Sequence, residues 1–115
     1  MHTGSSGAQG PEFVEVRVTA GSREEADELA LEAIDQHVAA CVQVLGPIST
    51  TYRWEGTVER SEEWLLLMKT STAGYPELER LIAERHSYDE PEILAVPVVL
   101  GATGYLDWLR AETTA

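Results

Sequence analysis

The run His86-Ser87-Tyr88-Asp89-Glu90-Pro91-Glu92 gathers an imidazole, a phenol and three carboxylates in one short stretch. Imidazole suits copper, nickel or zinc, and carboxylates beside it add oxygen ligands or orient the ring. The pattern therefore points to a divalent-cation site built on His86, Asp89 and Glu90 and lined by Tyr88; its plainer reading is a solvated connector ended by proline. Carboxylates sharing a pocket raise one another's proton affinity. No nucleophile, base and orienting group can be named beside them, so no enzyme is expected. The single Cys41, in Ala39-Ala40-Cys41-Val42, reads as a small buried hydrophobe and a more distant lining residue. With His37 it defines neither a zinc site nor a nucleophile-base pair.

The aromatic residues Tyr52, Trp54, Trp64, Tyr105 and Trp108 have stacking surfaces, but their setting decides the use. The chain carries 8 Lys plus Arg against 20 Asp plus Glu, a formal charge of -12 over 115 residues. Such a balance repels phosphate backbones and anionic membrane surfaces, so nucleic acid and membrane are excluded as expected partners. Core and interface packing is the expected role of these five aromatics. An apolar content of 43% argues against global disorder. No apolar run reaches bilayer length and no basic-plus-apolar leader opens the sequence, so a cytoplasmic protein is expected. One cysteine leaves no internal disulfide, and stability must come from packing or subunit association.

The elements that position these residues follow from periodicity. Residues 1–11 are rich in Gly and Ser and are expected as a loose tail, 12–112 as one domain, and 113–115 as a frayed end. Val14, Val16 and Val18 alternate with Glu15 and Arg17, predicting a strand with one buried face. Ser22 followed by Glu25 is a capping-box signature, and Ala26, Leu29, Ala30, Ala33, Ile34 and Val38 predict a helix running to about Ala39. A second extended region starts near Cys41, is interrupted at Gly46-Pro47 and resumes from Ile48 to Trp54. Glu55-Gly56 is expected to turn the chain, Thr57-Val58 to pair locally, and Arg60-Ser61-Glu62 to turn again before an apolar strand over Trp64–Met68. That strand does not alternate, which predicts cover on both faces. A helix is expected from Tyr75 or Pro76 to about His86, and a strand over Ile93–Val99 whose Pro97 suits an edge or bulge. A short helical stretch, Tyr105–Leu109, follows. The order β-α-β-β-α-β predicts an α+β, ferredoxin-like two-layer sandwich with an antiparallel sheet, an extended β-hairpin and a short C-terminal helix. Open strand edges with apolar residues point to assembly into a closed oligomer.

Four separated motifs occur in order: Ala39-Ala40-Cys41-Val42, Tyr52-Arg53-Trp54-Glu55-Gly56, His86 through Ile93, and Tyr105-Leu106-Asp107-Trp108-Leu109. Together they make residues 13 to 110 resemble the CutA divalent-cation tolerance family. The resemblance implies a ferredoxin-like protomer in a tight homotrimer, similar in architecture to the PII signalling proteins, with the long hairpin and C-terminal region between subunits. It also implies tolerance to copper and other divalent cations, no required cofactor and no established enzymatic activity; animal relatives are associated with acetylcholinesterase anchoring. Proposed copper ligands of bacterial relatives, a cysteine and two consecutive histidines, correspond here to Val18, Arg85 and His86. Cys41 matches the family's other, structural cysteine. Ser87 stands at a usual proline, Glu90 at a small or apolar position, and Gln43 at a frequent asparagine. Losing a thiolate and gaining a cationic arginine implies weak cation binding, assisted by the trimer. The alternative the resemblance leaves open is a PII-like module that binds a small molecule or protein in clefts between protomers.

Overall fold

The computed structural model describes residues 10–113. The elements are β1 (Phe13–Ala20), α1 (Arg23–Asp35), β2 (Cys41–Trp54), β3 (Thr57–Ser71), α2 (Tyr75–Arg85), β4 (Ile93–Val98) and α3 (Thr103–Glu112). The four strands form one antiparallel sheet in the order β2-β3-β1-β4. This is the ferredoxin-like two-layer sandwich that the element order predicts, with α3 as the short C-terminal helix.

Alternation in β1 sends Val14, Val16, Val18 and Ala20 into a core completed by Leu66 and Met68 of β3, Ala26, Leu29 and Ala33 of α1, and Leu78, Leu81 and Ile82 of α2. Ser22 caps α1 by accepting the Glu25 N–H at 3.1 Å, as the Ser-x-x-Glu spacing predicts. The helix nevertheless ends at Asp35 rather than near Ala39. His37 takes a left-handed conformation, φ 60°, and the amides of Val38 and Ala39 fold back onto the Ala33 carbonyl. That turn buries Val38 and Ala39 beside the sheet and delivers the chain into β2.

The Gly46-Pro47 interruption is a register shift between Leu45 and Ile48 within a continuous β2. Gly46 is needed there, since a Cβ on it would lie 2.4 Å from Cδ1 of Trp64. Past the shift, β2 and β3 run on as a two-stranded arm closed by a two-residue turn. Both of its central residues, Glu55 at φ 50° and Gly56 at φ 81°, have the positive φ of a type I′ hairpin. The turn expected at Arg60-Ser61-Glu62 is absent, because Thr51, Thr50 and Ser49 of β2 pair with those three residues and keep β3 extended. The apolar run in β3 is covered unequally: Leu66 and Met68 are in the core, whereas Leu65 and Leu67 are half-buried on the other face. β4 lies at the sheet edge, where Pro97 is tolerated.

On that other face α3 covers one end of the sheet. Leu109 and Phe13 are buried there, and the Arg110 guanidinium stands 5.3 Å from the Phe13 ring centre. Arg110 also grips Glu12 through two N–H···O bonds of 2.6 and 2.9 Å, holding the Glu12 carboxyl below its usual range. Of the expected tail, residues 1–9 lie outside the described residues. Pro11 is tied down, its carbonyl accepting from Thr72 Oγ1 at 2.7 Å. At the other terminus Thr113 Oγ1 donates to the Leu109 carbonyl at 3.0 Å, and residues 114–115 lie outside the described residues.

Candidate functional site

His86 ends α2, its amide bonded to the Ile82 carbonyl at 2.8 Å, and its imidazole turns inward to full burial. Nε2 lies 2.7 Å from the carbonyl oxygen of Thr19 at the end of β1. Nδ1 accepts the Tyr88 N–H at 3.0 Å. A carbonyl can only accept and an amide N–H can only donate, so this pattern fits the tautomer with its proton on Nε2. Both ring nitrogens are thus used within the chain.

The loop after His86 is tied to two further elements. Glu25, in the first turn of α1, accepts the Ser87 N–H at 2.8 Å and the Ser87 Oγ–H at 3.0 Å. The capping box is therefore only half formed, since the Glu25 carboxylate serves the loop. Its Oε2 stands 3.6 Å from His86 Nδ1. Tyr88 packs its ring against the imidazole, centres 4.7 Å apart, and donates its hydroxyl to Glu63 Oε2 at 2.9 Å. Glu63 is a buried carboxylate of β3. Gly21 admits the phenol, since a Cβ there would stand 3.1 Å from the Tyr88 hydroxyl. Glu25 and Glu63 carry no chemical signature in their own sequence neighbourhoods; a period-three capping signal and a strand position conceal them.

Burial first, then the bond to Glu63 and the negative fields of Glu63 and Glu25, push the Tyr88 phenol from 10.0 up to about 12. A folded-state value above the unfolded one means that this contribution is complete below pH 10 and lost as pH rises through about 12. Alkaline unfolding curves are expected to show a smaller loss of stability across that window in Tyr88→Phe than in the unsubstituted protein; equal losses would contradict the assignment.

His86, Asp89 and Glu90 do not converge as the sequence spacing suggests. Asp89 and Glu90 are exposed and line a groove against Pro76, Glu79, Arg80 and Ala83 of α2. Among the described residues no three His, Cys, Asp or Glu side chains are grouped to hold a metal ion. Cys41 does not line this site either. It pairs with Lys69, whereas Thr19 at the imidazole pairs with Leu65, so four strand residues, roughly 13 Å, separate the two places. Cys41 instead sits near Tyr105, whose phenol is raised by burial and then by the thiol.

The aromatic residues divide between roles. Trp64 packs on the core against Gly46. Tyr52 and Trp54 are exposed on the arm, with Ser61 Oγ donating to the Tyr52 hydroxyl at 3.4 Å. Tyr105 and Trp108 form an exposed tilted pair, 5.6 Å between ring centres, on α3.

The sequence pattern of the CutA1 divalent ion tolerance protein family matches residues 14–112. The chain is 40% identical over 98 residues to the divalent-cation tolerance protein CutA of Thermus thermophilus, a match covering 85% of this chain and 95% of that protein. It is 33% identical over 96 residues to the human protein CutA, covering 84% of this chain and 54% of the human one, so it spans about half that relative's length. Among solved structures, the Thermus thermophilus divalent cation tolerance protein superposes with a TM-score of 0.87 at 38% identity, covering 89% of this chain and 99% of that one. CutA1 from the psychrotrophic bacterium Shewanella sp. SIB1 superposes with a TM-score of 0.90 at 28% identity, covering 92% and 99%. The match runs unbroken from β1 to the end of α3 and takes in the arm, the loop after His86 and the C-terminal helix together: the chain belongs to the CutA1 divalent ion tolerance protein family.

Proposed function

We propose that this chain serves divalent-cation tolerance as a non-enzymatic homotrimer that binds copper or another divalent cation weakly at His86. The observation carrying the cation reading is the 3.6 Å separation of His86 Nδ1 and Glu25 Oε2, close to what one small cation imposes on two ligands held near 2.0–2.2 Å, a rough figure for nitrogen and oxygen donors. Binding there must displace the Tyr88 N–H from Nδ1, and that cost is the reason the affinity is weak. Asp89 and Glu90, exposed on the same loop, supply negative field rather than ligands. Calorimetric titration with copper and with zinc at neutral pH tests this. His86→Gln and Glu25→Gln are each expected to weaken binding by about tenfold or more, the usual scale for losing a ligand or its orienting partner. Affinities equal to the unsubstituted protein would reject the site.

The trimer reading is supported by apolar side chains on two dissimilar surfaces. Trp54 and Val58 project at the arm, each 61% exposed, while Val99 and Leu100, 79% and 89% exposed, follow the β4 edge. Different patches that fit one another build head-to-tail contacts, which close into a ring when the rotation between copies closes. Three is the ring size the family resemblance implies. Sedimentation at micromolar concentration is expected to give a trimer; a persistent monomer would reject it.

A further inference from the structure

We infer that Ser87 is the positioning residue of the proposed cation site: it draws the Glu25 carboxylate away from the start of α1 and holds it beside the His86 imidazole. Its role rests on the cation reading above and goes beyond it by naming what aims one of the two ligands. Glu25 stands three residues after the Ser22 cap of α1, the position from which a glutamate side chain ordinarily reaches back to the cap's own N–H. In this chain it does not. Among the described residues the Ser22 N–H makes no hydrogen bond, while both Glu25 oxygens accept from Ser87, 62 residues further on.

Each Ser87 donor is matched to one oxygen. The amide meets Oε2 at 2.8 Å and the hydroxyl meets Oε1 at 3.0 Å, a two-point grip that fixes the plane of the carboxylate as well as its place. Oε2 is the oxygen 3.6 Å from His86 Nδ1. With the imidazole proton on Nε2, toward the Thr19 carbonyl, Nδ1 and Oε2 are both acceptors and neither donates to the other. Two facing acceptors repel, so the carboxylate stays beside the ring because Ser87 supplies donors there. A carboxylate has about four acceptor positions, and the grip leaves Oε2 a lone pair for a cation shared with Nδ1.

Without that grip the carboxylate has a second place to go. The Glu25 N–H is bound to Ser22 Oγ at 3.1 Å, which keeps Glu25 in the first turn, where the Ser22 N–H is the donor that its side chain can reach. Ser87→Pro takes away both Ser87 donors at once, since proline has neither an N–H nor a hydroxyl. The backbone before it accommodates the change: His86 is extended, at φ -73° and ψ 144°, a conformation of the kind that proline imposes on the preceding residue. Ser87→Ala removes only the hydroxyl, and Ser87→Thr keeps both donors.

Calorimetric titration with copper and with zinc at neutral pH is the first measurement. The expected order of affinity is the unsubstituted protein and Ser87→Thr together, then Ser87→Ala, then Ser87→Pro. The last should be weakened roughly tenfold or more, the usual scale for losing the partner that orients a ligand, and stand level with Glu25→Gln. Amide hydrogen exchange at Ser22, with no cation added, is the second measurement: it is expected to slow in Ser87→Pro, where the released carboxylate accepts that N–H. A residue that only kept the loop in shape would leave the Ser22 amide unchanged. Circular dichroism checks that each variant is folded, and the Ser87→Ala and Ser87→Thr pair decides the matter should Ser87→Pro not fold. No binding by the unsubstituted protein overturns the cation site and this role together. Binding that Glu25→Gln weakens but Ser87→Ala and Ser87→Pro leave unchanged overturns the role of Ser87 alone, as does unaltered Ser22 exchange in a folded Ser87→Pro.

Discussion

Leu66→Ala is expected to destabilise the protein by about 3 kcal/mol, within the range for deleting a buried leucine side chain from a packed core. Leu66 has no solvent exposure and lies in β3 between Val18 of β1 and Val44 of β2, so its removal opens a void beneath both helices. Neighbouring strands fixed by ladder hydrogen bonds cannot collapse into such a void, so the cavity persists. Equilibrium denaturation at one fixed protein concentration measures the effect, because any association of copies adds to apparent stability. Leu94→Ala, at a position 58% exposed, is the control and should cost under about 0.5 kcal/mol in the protomer. A loss below about 1 kcal/mol for Leu66→Ala would mean that the core relaxes around the deletion.

His86→Ala has a comparable expected cost, about 3 kcal/mol, by a different route. The substitution leaves the Thr19 carbonyl without the donor that Nε2 supplies and the Tyr88 amide without its acceptor, and it empties the space beneath the Tyr88 ring. The effect should spread along the loop: amide hydrogen exchange is expected to accelerate at Tyr88 and Ser87 more than in α2. His86→Gln separates the contributions, since a glutamine amide donates to the Thr19 carbonyl without filling the same volume; it should recover part of the stability and not the cation affinity. Uniform acceleration of exchange across α1 and α2 would show that the histidine supports the core at large instead of this loop.

How far the chain betrays its structure depends on the range of the interaction concerned. The alternation of Val14, Val16 and Val18 and the pairing of Ser22 with Glu25 are local physics, and they appear in the fold as the residues suggest. The end of α1 is not local, because Val38 and Ala39 satisfy helical spacing and only the presence of the sheet makes their burial after a left-handed His37 more favourable. Arg60-Ser61-Glu62 has turn composition, yet a waiting β2 partner overrides it. The proposed cation site shows the same division. His86 is identifiable from its type, whereas its neighbours are chosen by folding: Glu25 and Glu63 arrive from elements distant in sequence, and Asp89 and Glu90, adjacent in the chain, face α2 instead. Local spacing brings candidate ligands into view, and the assignment of ligands belongs to tertiary contacts.

The strand order has a bearing on synthesis. β1 leaves the ribosome before the other strands of the sheet, yet its two neighbours there are β3 and β4, the latter the last of the four strands to be made. Before β3 emerges, the valine-rich inner face of β1 lacks its main strand neighbour, and its β4 side stays open until the last of the four strands has emerged. Long-range pairings of this kind slow folding and leave strand edges exposed in the interim. Alternate charged residues on β1, Glu15 and Arg17, make that nascent strand a poor template for its copies on neighbouring ribosomes. The polar side of the central strand thus protects the unfinished chain.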